Sequence, residues 1–243
     1  MRFCSILVFY FSIVYCEAGY GLAEKMSQKD TPIDIKSFLV MSLEDKRGNV
    51  FQSEIISHSK DDGEKQIMWF LSPASNRGVS LYKIEKEDGK DEMKMYLPAF
   101  RKVRKISSKK KSESFMNSDL TFEDLYNRDL DDYTYKLDDS NDSFYILTSY
   151  PVENLNSAYS KHISWIDRSS LLIKKEESYA KSGKLIKTKD MKYINKDGFD
   201  LIKELHVLDV KTKHQTHLIF KNMQLNTGID DKVFHEMNLK RMP

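Results

Sequence analysis

From residue 36 to the C-terminus, apolar and polar positions alternate with a period of two, in short runs broken by Gly, Asn and Asp. That period predicts strands with one buried and one solvated face. Residues 38–43 and 50–56 flank Arg47-Gly48-Asn49 and read as a hairpin. Residues 66–71, QIMWFL, are apolar on both faces at Met68, Trp69 and Phe70, which puts them in the middle of a sheet. Residues 79–84 alternate, and 93–97 form a strand stopped by Pro98. Further strands are expected at 133–137, 144–148, 159–167, 171–179, 184–194, 199–210 and 215–225. In the third of these Ile163 and Trp165 share a face; in the fifth Leu185, Lys187 and Lys189 oppose Ile186 and Thr188. A meander of this length implies a large antiparallel sheet, which must curl or close around something. Residues 19–35 are polar, with Gly19, Gly21 and Pro32, and read as a linker or a short N-terminal helix, at most two turns around Leu22–Gln28.

Composition agrees with sheet, since 13 Tyr, 13 Phe and 2 Trp favour strands. The 39 Lys and Arg nearly balance 37 Asp and Glu. The resulting +2 provides no bulk attraction to nucleic acid, so charge matters only where it clusters. The chain begins with Arg2 and an uncharged run over residues 3–16, too short for a membrane span of about 20 residues. It fits the apolar core of a signal peptide, with cleavage after Ala18 preferred and after Ala23 second. A lipid anchor at Cys16 is the alternative, though bulky Tyr15 precedes it. Both cysteines, Cys4 and Cys16, fall in this segment. Cleavage after Ala18 leaves a mature chain with no thiol chemistry and no disulfide.

The densest charge is at Arg101, Lys102, Arg104, Lys105, Lys109, Lys110 and Lys111. As a strand, 101–106 is charged on both faces and therefore belongs at an edge or rim. A solvated edge explains it; so does contact with anionic headgroups, at about 1 kcal/mol per cation. In the following segment Ser118 or Asp119 is placed to cap a short helix with Phe122, Leu125 and Tyr126 inward. Asp119, Glu123 and Asp124 lack calcium-loop spacing and are read as caps and partners of the basic arm. HExxH, GxSxG, SxxK and Gly-rich phosphate motifs are absent, and His214 and His217 would point to opposite faces of a strand. No enzyme activity, catalytic residue, cofactor or metal is expected. Met41, Met68, Phe70, Met93, Met95, Phe115, Met116, Phe122 and Trp165 are flexible or broad apolar side chains. Ordinary core explains most of them, but on a concave sheet face they would line an adaptable pocket for acyl chains.

The run YLPAFRKVRKIS at 96–107, followed by SFMNSDLTFEDL at 114–125, resembles the signature of the LolA-like outer-membrane lipoprotein-sorting proteins. Residues 70–82, 159–188 and 230–234 agree in style and order, so the resemblance spans about 37–239. It implies a mainly β fold: one strongly curved, unclosed antiparallel sheet, a half-barrel, with short helices lidding a hydrophobic cavity. On that basis residues 36–243 form one domain after a signal peptide at 1–18 and a linker or short helix at 19–35. The implied function is a periplasmic carrier of lipid or lipoprotein acyl chains toward the outer membrane, partnered by an inner-membrane export transporter. The alternative is a non-enzymatic adaptor subunit of such a transporter. The apolar set without Met93 would line the cavity. Arg101, Lys102, Arg104 and Lys105 would meet headgroups, an anionic membrane or a partner. Asn117 stands where the family favours Gly, so an unstrained backbone is expected there.

Overall fold

The computed structural model describes residues 17–86, 89, 91–138 and 140–243. The signal segment and Cys16 lie outside them, apart from Glu17 and Ala18. Residues 17–27 form a helix, α1. Thirteen strands follow: β1 Asp34–Glu44, β2 Val50–Lys60, β3 Lys65–Ser72, β4 Ser80–Ile84, β5 Glu92–Leu97, β6 Lys102–Lys105, β7 Tyr133–Leu137, β8 Phe144–Pro151, β9 Tyr159–Asp167, β10 Ile173–Ala180, β11 Leu185–Lys196, β12 Phe199–Asp209 and β13 Gln215–Leu225. They make one antiparallel sheet, ordered β6-β5-β4-β3-β2-β1-β13-β12-β11-β10-β9-β8-β7. The first strand pairs with the last, Ile35 opposite Leu225, so the meander runs outward in both directions and leaves β6 and β7 as open edges. The start of the basic arm is edge strand β6, as its two charged faces require, and Ser108–Lys110 beyond it form a 3-10 turn.

The chain forms two compact units: one of Arg128–Met191 with the described residues up to Lys29, the other of Asp30–Asn127 with Lys192–Pro243. In the first, the segment expected to be a linker or a short helix is an ordered helix. Gly19, Leu22, Ala23 and Met26 recur at helical spacing and face Tyr133, Tyr135, Leu147 and Ile166. Gly19 is needed for the approach, because a Cβ there would lie 2.9 Å from the Tyr135 carbonyl carbon and oxygen.

In the second unit both sheet faces are covered, which explains why QIMWFL is apolar throughout. Met68 and Phe70 join Met41, Leu81, Met93 and Met95 on one face, under Phe115, Leu120 and Phe122 of the segment after β6. Ile67 and Trp69 point the other way, into Ile229, Phe234 and Leu239 of the C-terminal segment. Buried Asp34 anchors that segment, accepting from the backbone of Thr227, Gly228 and Ile229 at 2.8–3.0 Å and from the Thr227 hydroxyl. Burial raises its carboxyl pKa, but these donors outweigh burial and hold it below the ordinary value. Trp69 Nε1 donates to the Asn238 carbonyl at 3.0 Å.

Candidate functional site

The segment between β6 and β7 builds the site in the second unit. It leaves the edge with Ile106 N donating to the Met93 carbonyl and doubles back as a small hairpin closed by a Ser114–Thr121 bridge. The tip, Met116-Asn117, sits at φ 51° and 61°. The expectation of an unstrained backbone at Asn117 is therefore corrected. The tight turn demands the left-handed region whichever residue occupies it, and Asn tolerates it better than most. The expected helix is only a 3-10 turn, Glu123–Leu125. Within it, Asp124 accepts from Thr121 N and Oγ1 at 2.8 and 2.9 Å. Ser118 instead donates to the Phe115 carbonyl, and Asp119 faces His214 Nδ1 and Thr216 Oγ1 at 2.8 and 2.7 Å, so it tethers the hairpin to β13 rather than to the basic arm.

A second tether lies at the end of the segment. Lys83, buried on β4, pairs with Glu85 and donates to the Leu125 carbonyl at 2.8 Å. Burial lowers the lysine pKa and raises that of the glutamate, each offset by the other's charge. Lys111 caps the Tyr126 ring at 3.9 Å from its centroid.

Under this hairpin lies a cavity of about 250 Å³. Its apolar walls are Met95, Leu97, Ile106, Met116 and Phe122, and its polar rim is Arg104, Lys105, Lys110, Glu113, Ser114 and Asn117. Register explains the combination: Met95 pairs with Arg104 across β5 and β6, so both point to the same face. The structure thus divides the apolar candidates. Met95, Met116 and Phe122 line the cavity. Met41, Met68 and Phe70 are packed core, and Phe115 fills the space above them, its ring 6.1 Å from Phe70 and 5.9 Å from Phe122. Trp165 belongs to the other unit, half-buried beneath Lys175 Nζ at 4.3 Å. Of the cationic candidates, Arg104 and Lys105 reach the rim; Arg101 and Lys102 do not line it.

Sequence reading missed a buried charged cluster in the first unit. His162 and Ser164 on β9, Glu176 and Ser178 on β10, and Lys187 and Lys189 on β11 share one face, in rows set by the register Ser164–Glu176–Lys189 and His162–Ser178–Lys187. Arg128 grips Glu176 with both guanidinium nitrogens at 2.6 and 2.8 Å, and Lys189 reaches it at 3.1 Å. Lys187 Nζ donates to the Tyr159 hydroxyl at 2.8 Å. Burial raises the Glu176 pKa, but Arg128 and Lys189 more than reverse this and hold it well below the carboxylate range. The signal was three neighbouring strands with polar residues two apart; period two alone reads such residues as outward. Beside the cluster, a cavity of about 250 Å³ between α1 and the sheet is lined by Ala23, Met26, Arg128, Tyr133, Tyr135 and Ile166 among others.

Similarity to solved structures follows this architecture. A domain assigned to outer membrane lipoprotein sorting from Vibrio parahaemolyticus is 25% identical, with a TM-score of 0.86 over 93% of this chain and 100% of its own. A DUF1329 family protein from Desulfovibrio piger is 30% identical, with a TM-score of 0.84 over 93% of this chain and 99% of its own. A LolA superfamily protein from Nitrosomonas europaea shares the fold at 20% identity, with a TM-score of 0.71 over 90% and 98% of the two chains. No curated protein matches the chain. A family model described only as an uncharacterized "-like" protein matches residues 62–241. The class is the LolA-like fold, an unclosed antiparallel sheet. Within it, the chain belongs to the family of that model and to the DUF1329 family.

Proposed function

We propose that the chain is a carrier that binds acyl chains of lipids or lipoproteins for transfer toward the outer membrane. In this reading it works in the periplasm after export by residues 1–18, with 36–243 as one carrier domain and an inner-membrane export transporter as donor. The observation that carries the proposal is the cavity beneath the 113–122 hairpin, apolar at its walls and cationic at its rim. This pairing suits an acyl chain with an anionic headgroup, and each buried CH₂ contributes about 0.8 kcal/mol. At about 250 Å³ the cavity is smaller than the roughly 300–1,000 Å³ of ordinary ligand sites, so it admits the end of a chain. Deeper loading requires the hairpin to lift from Met95 and Leu97. Two polar tethers, Asp119 with His214 and Thr216, and Lys83 with the Leu125 carbonyl, hold it down. Binding of this kind needs no covalent step and no catalytic group.

The test is native mass spectrometry of the protein purified without detergent, followed by lipid extraction, with a fluorescent fatty acid titrated into wild type and M116E. A stoichiometric lipid or acylated peptide, and probe affinity at least tenfold weaker in folded M116E, are the expected results. A clean apo mass with no probe uptake would overturn the carrier and leave the adaptor reading.

A further inference from the structure

The edge formed by β5 and β6 extends beyond the cavity. Pro98–Phe100 is a 3-10 turn that ends β5, closed by Arg101 N donating to the Pro98 carbonyl at 3.0 Å. Phe100 projects from it and is 69% exposed. Met242, also exposed, lies close to the base of the turn: a Cβ on Gly78 would sit 3.2 Å from Pro98 Cγ and 4.0 Å from Met242 Sδ. Behind the aromatic tip come Arg101, Lys102, Arg104 and Lys105, all exposed and none paired with a carboxylate among the described residues. The acidic neighbours are engaged elsewhere, Glu113 by Lys110 and Asp91 by Lys111.

We propose that this edge is a membrane-docking element, in which Phe100 enters the interface of an anionic phospholipid bilayer while Arg101, Lys102, Arg104 and Lys105 lie against its headgroups. An aromatic wedge beside several cations is the chemistry of interfacial binding, because apolar burial and attraction to anionic lipid add. The near-neutral whole chain cannot supply that attraction, so it resides in this patch. The exposed pair Val50 and Phe51 differs: its hairpin end carries Glu44 and Asp45 against Lys46 and Arg47, with no charge excess. The same cations disfavour a protein strand adding to β6, since a lysine-rich edge resists pairing. Arg104 and Lys105 are shared with the cavity rim, but Phe100, Arg101 and Lys102 do not line the cavity, so variants at these three test docking apart from the carrier reading.

The experiment uses the full chain with F100W as a local reporter and wild type as the background. Vesicles are phosphatidylcholine alone or with roughly one-third phosphatidylglycerol. The position-100 indole is expected to shift to the blue and to be quenched by brominated lipid in anionic vesicles only, and to revert at high salt. R101G/K102A, in which glycine accepts the left-handed φ of 49°, is expected to bind these vesicles roughly thirtyfold more weakly while keeping fatty-acid probe affinity and far-UV spectrum. F100A separates the wedge from the charge and is expected to retain salt-dependent binding at reduced affinity. An indole signal unmoved by anionic vesicles, with F100A and R101G/K102A binding as wild type does, would overturn the proposal and leave the edge to a protein partner. Probe uptake in the same samples reports on the carrier reading separately.

Discussion

Glu176 shows how much one residue can decide. Its carboxylate is almost fully buried, and it stays charged only because Arg128 and Lys189 surround it. Removing one member of such a group leaves the others buried and uncompensated, which costs about 3–5 kcal/mol. E176Q is therefore expected to lose about that much stability at neutral pH in urea titrations. Because the folded pKa is depressed, the stabilisation is fully present above the ordinary carboxylate value and fades as pH falls toward the folded one. Wild type should lose stability faster than E176Q between about pH 5 and pH 3. Parallel acid limbs for the two proteins would remove Glu176 from this role.

At the scale of elements, α1 and the 113–122 hairpin each cover apolar sheet surface, and each depends on a local backbone feature. In α1 the feature is close approach. Ala ordinarily stabilises a helix by about 1 kcal/mol over Gly. At Gly19 the added methyl would meet the Tyr135 backbone at 2.9 Å, which cannot retreat like a flexible side chain. G19A is expected to destabilise by about 1–2 kcal/mol, as overpacking does. G21A, with nothing within 4 Å of its new Cβ, is the internal control and should show the usual gain. If both variants gained in thermal melts, the helix would not be docked as described. A chain cut after Ala23 would also lose Gly19, Leu22 and Ala23 from this contact, whereas a cut after Ala18 keeps them.

For the whole molecule, the carrier reading makes a thermodynamic demand. A ligand that binds only the folded state stabilises it by about 2.7 kcal/mol at a hundred times its Kd. For a chain of this size each kcal/mol moves Tm by about 2–4 °C, so saturating acyl ligand should raise Tm by about 5–10 °C. An unchanged Tm under saturation would contradict the reading. Filling the cavity need not disturb the core beneath it, where Met41, Met68, Phe70 and Phe115 are already packed.

The strands, their turns and the edge position of the basic arm were legible in the sequence, because period-two alternation, Gly and Asn turns and a doubly charged strand are local properties. The family resemblance was legible for the same reason, in the run around residues 96–125. Which strand face is covered is not local. Ile163 and Trp165 do share a face, but His162, Ser164 and Ile166 are the more deeply buried set, and Lys187 and Lys189 are buried with Glu176. Alternation reports two faces without saying which one meets the rest of the chain. Tertiary structure decided that, since Arg128 reaches Glu176 from 48 positions away and Phe115 packs, tilted, above Phe70 from another segment. It also separated cavity from core: Met41 and Met95 are the same residue type on the same sheet face, yet only Met95 borders the space left beneath the 113–122 hairpin, whose own Met116 forms another wall.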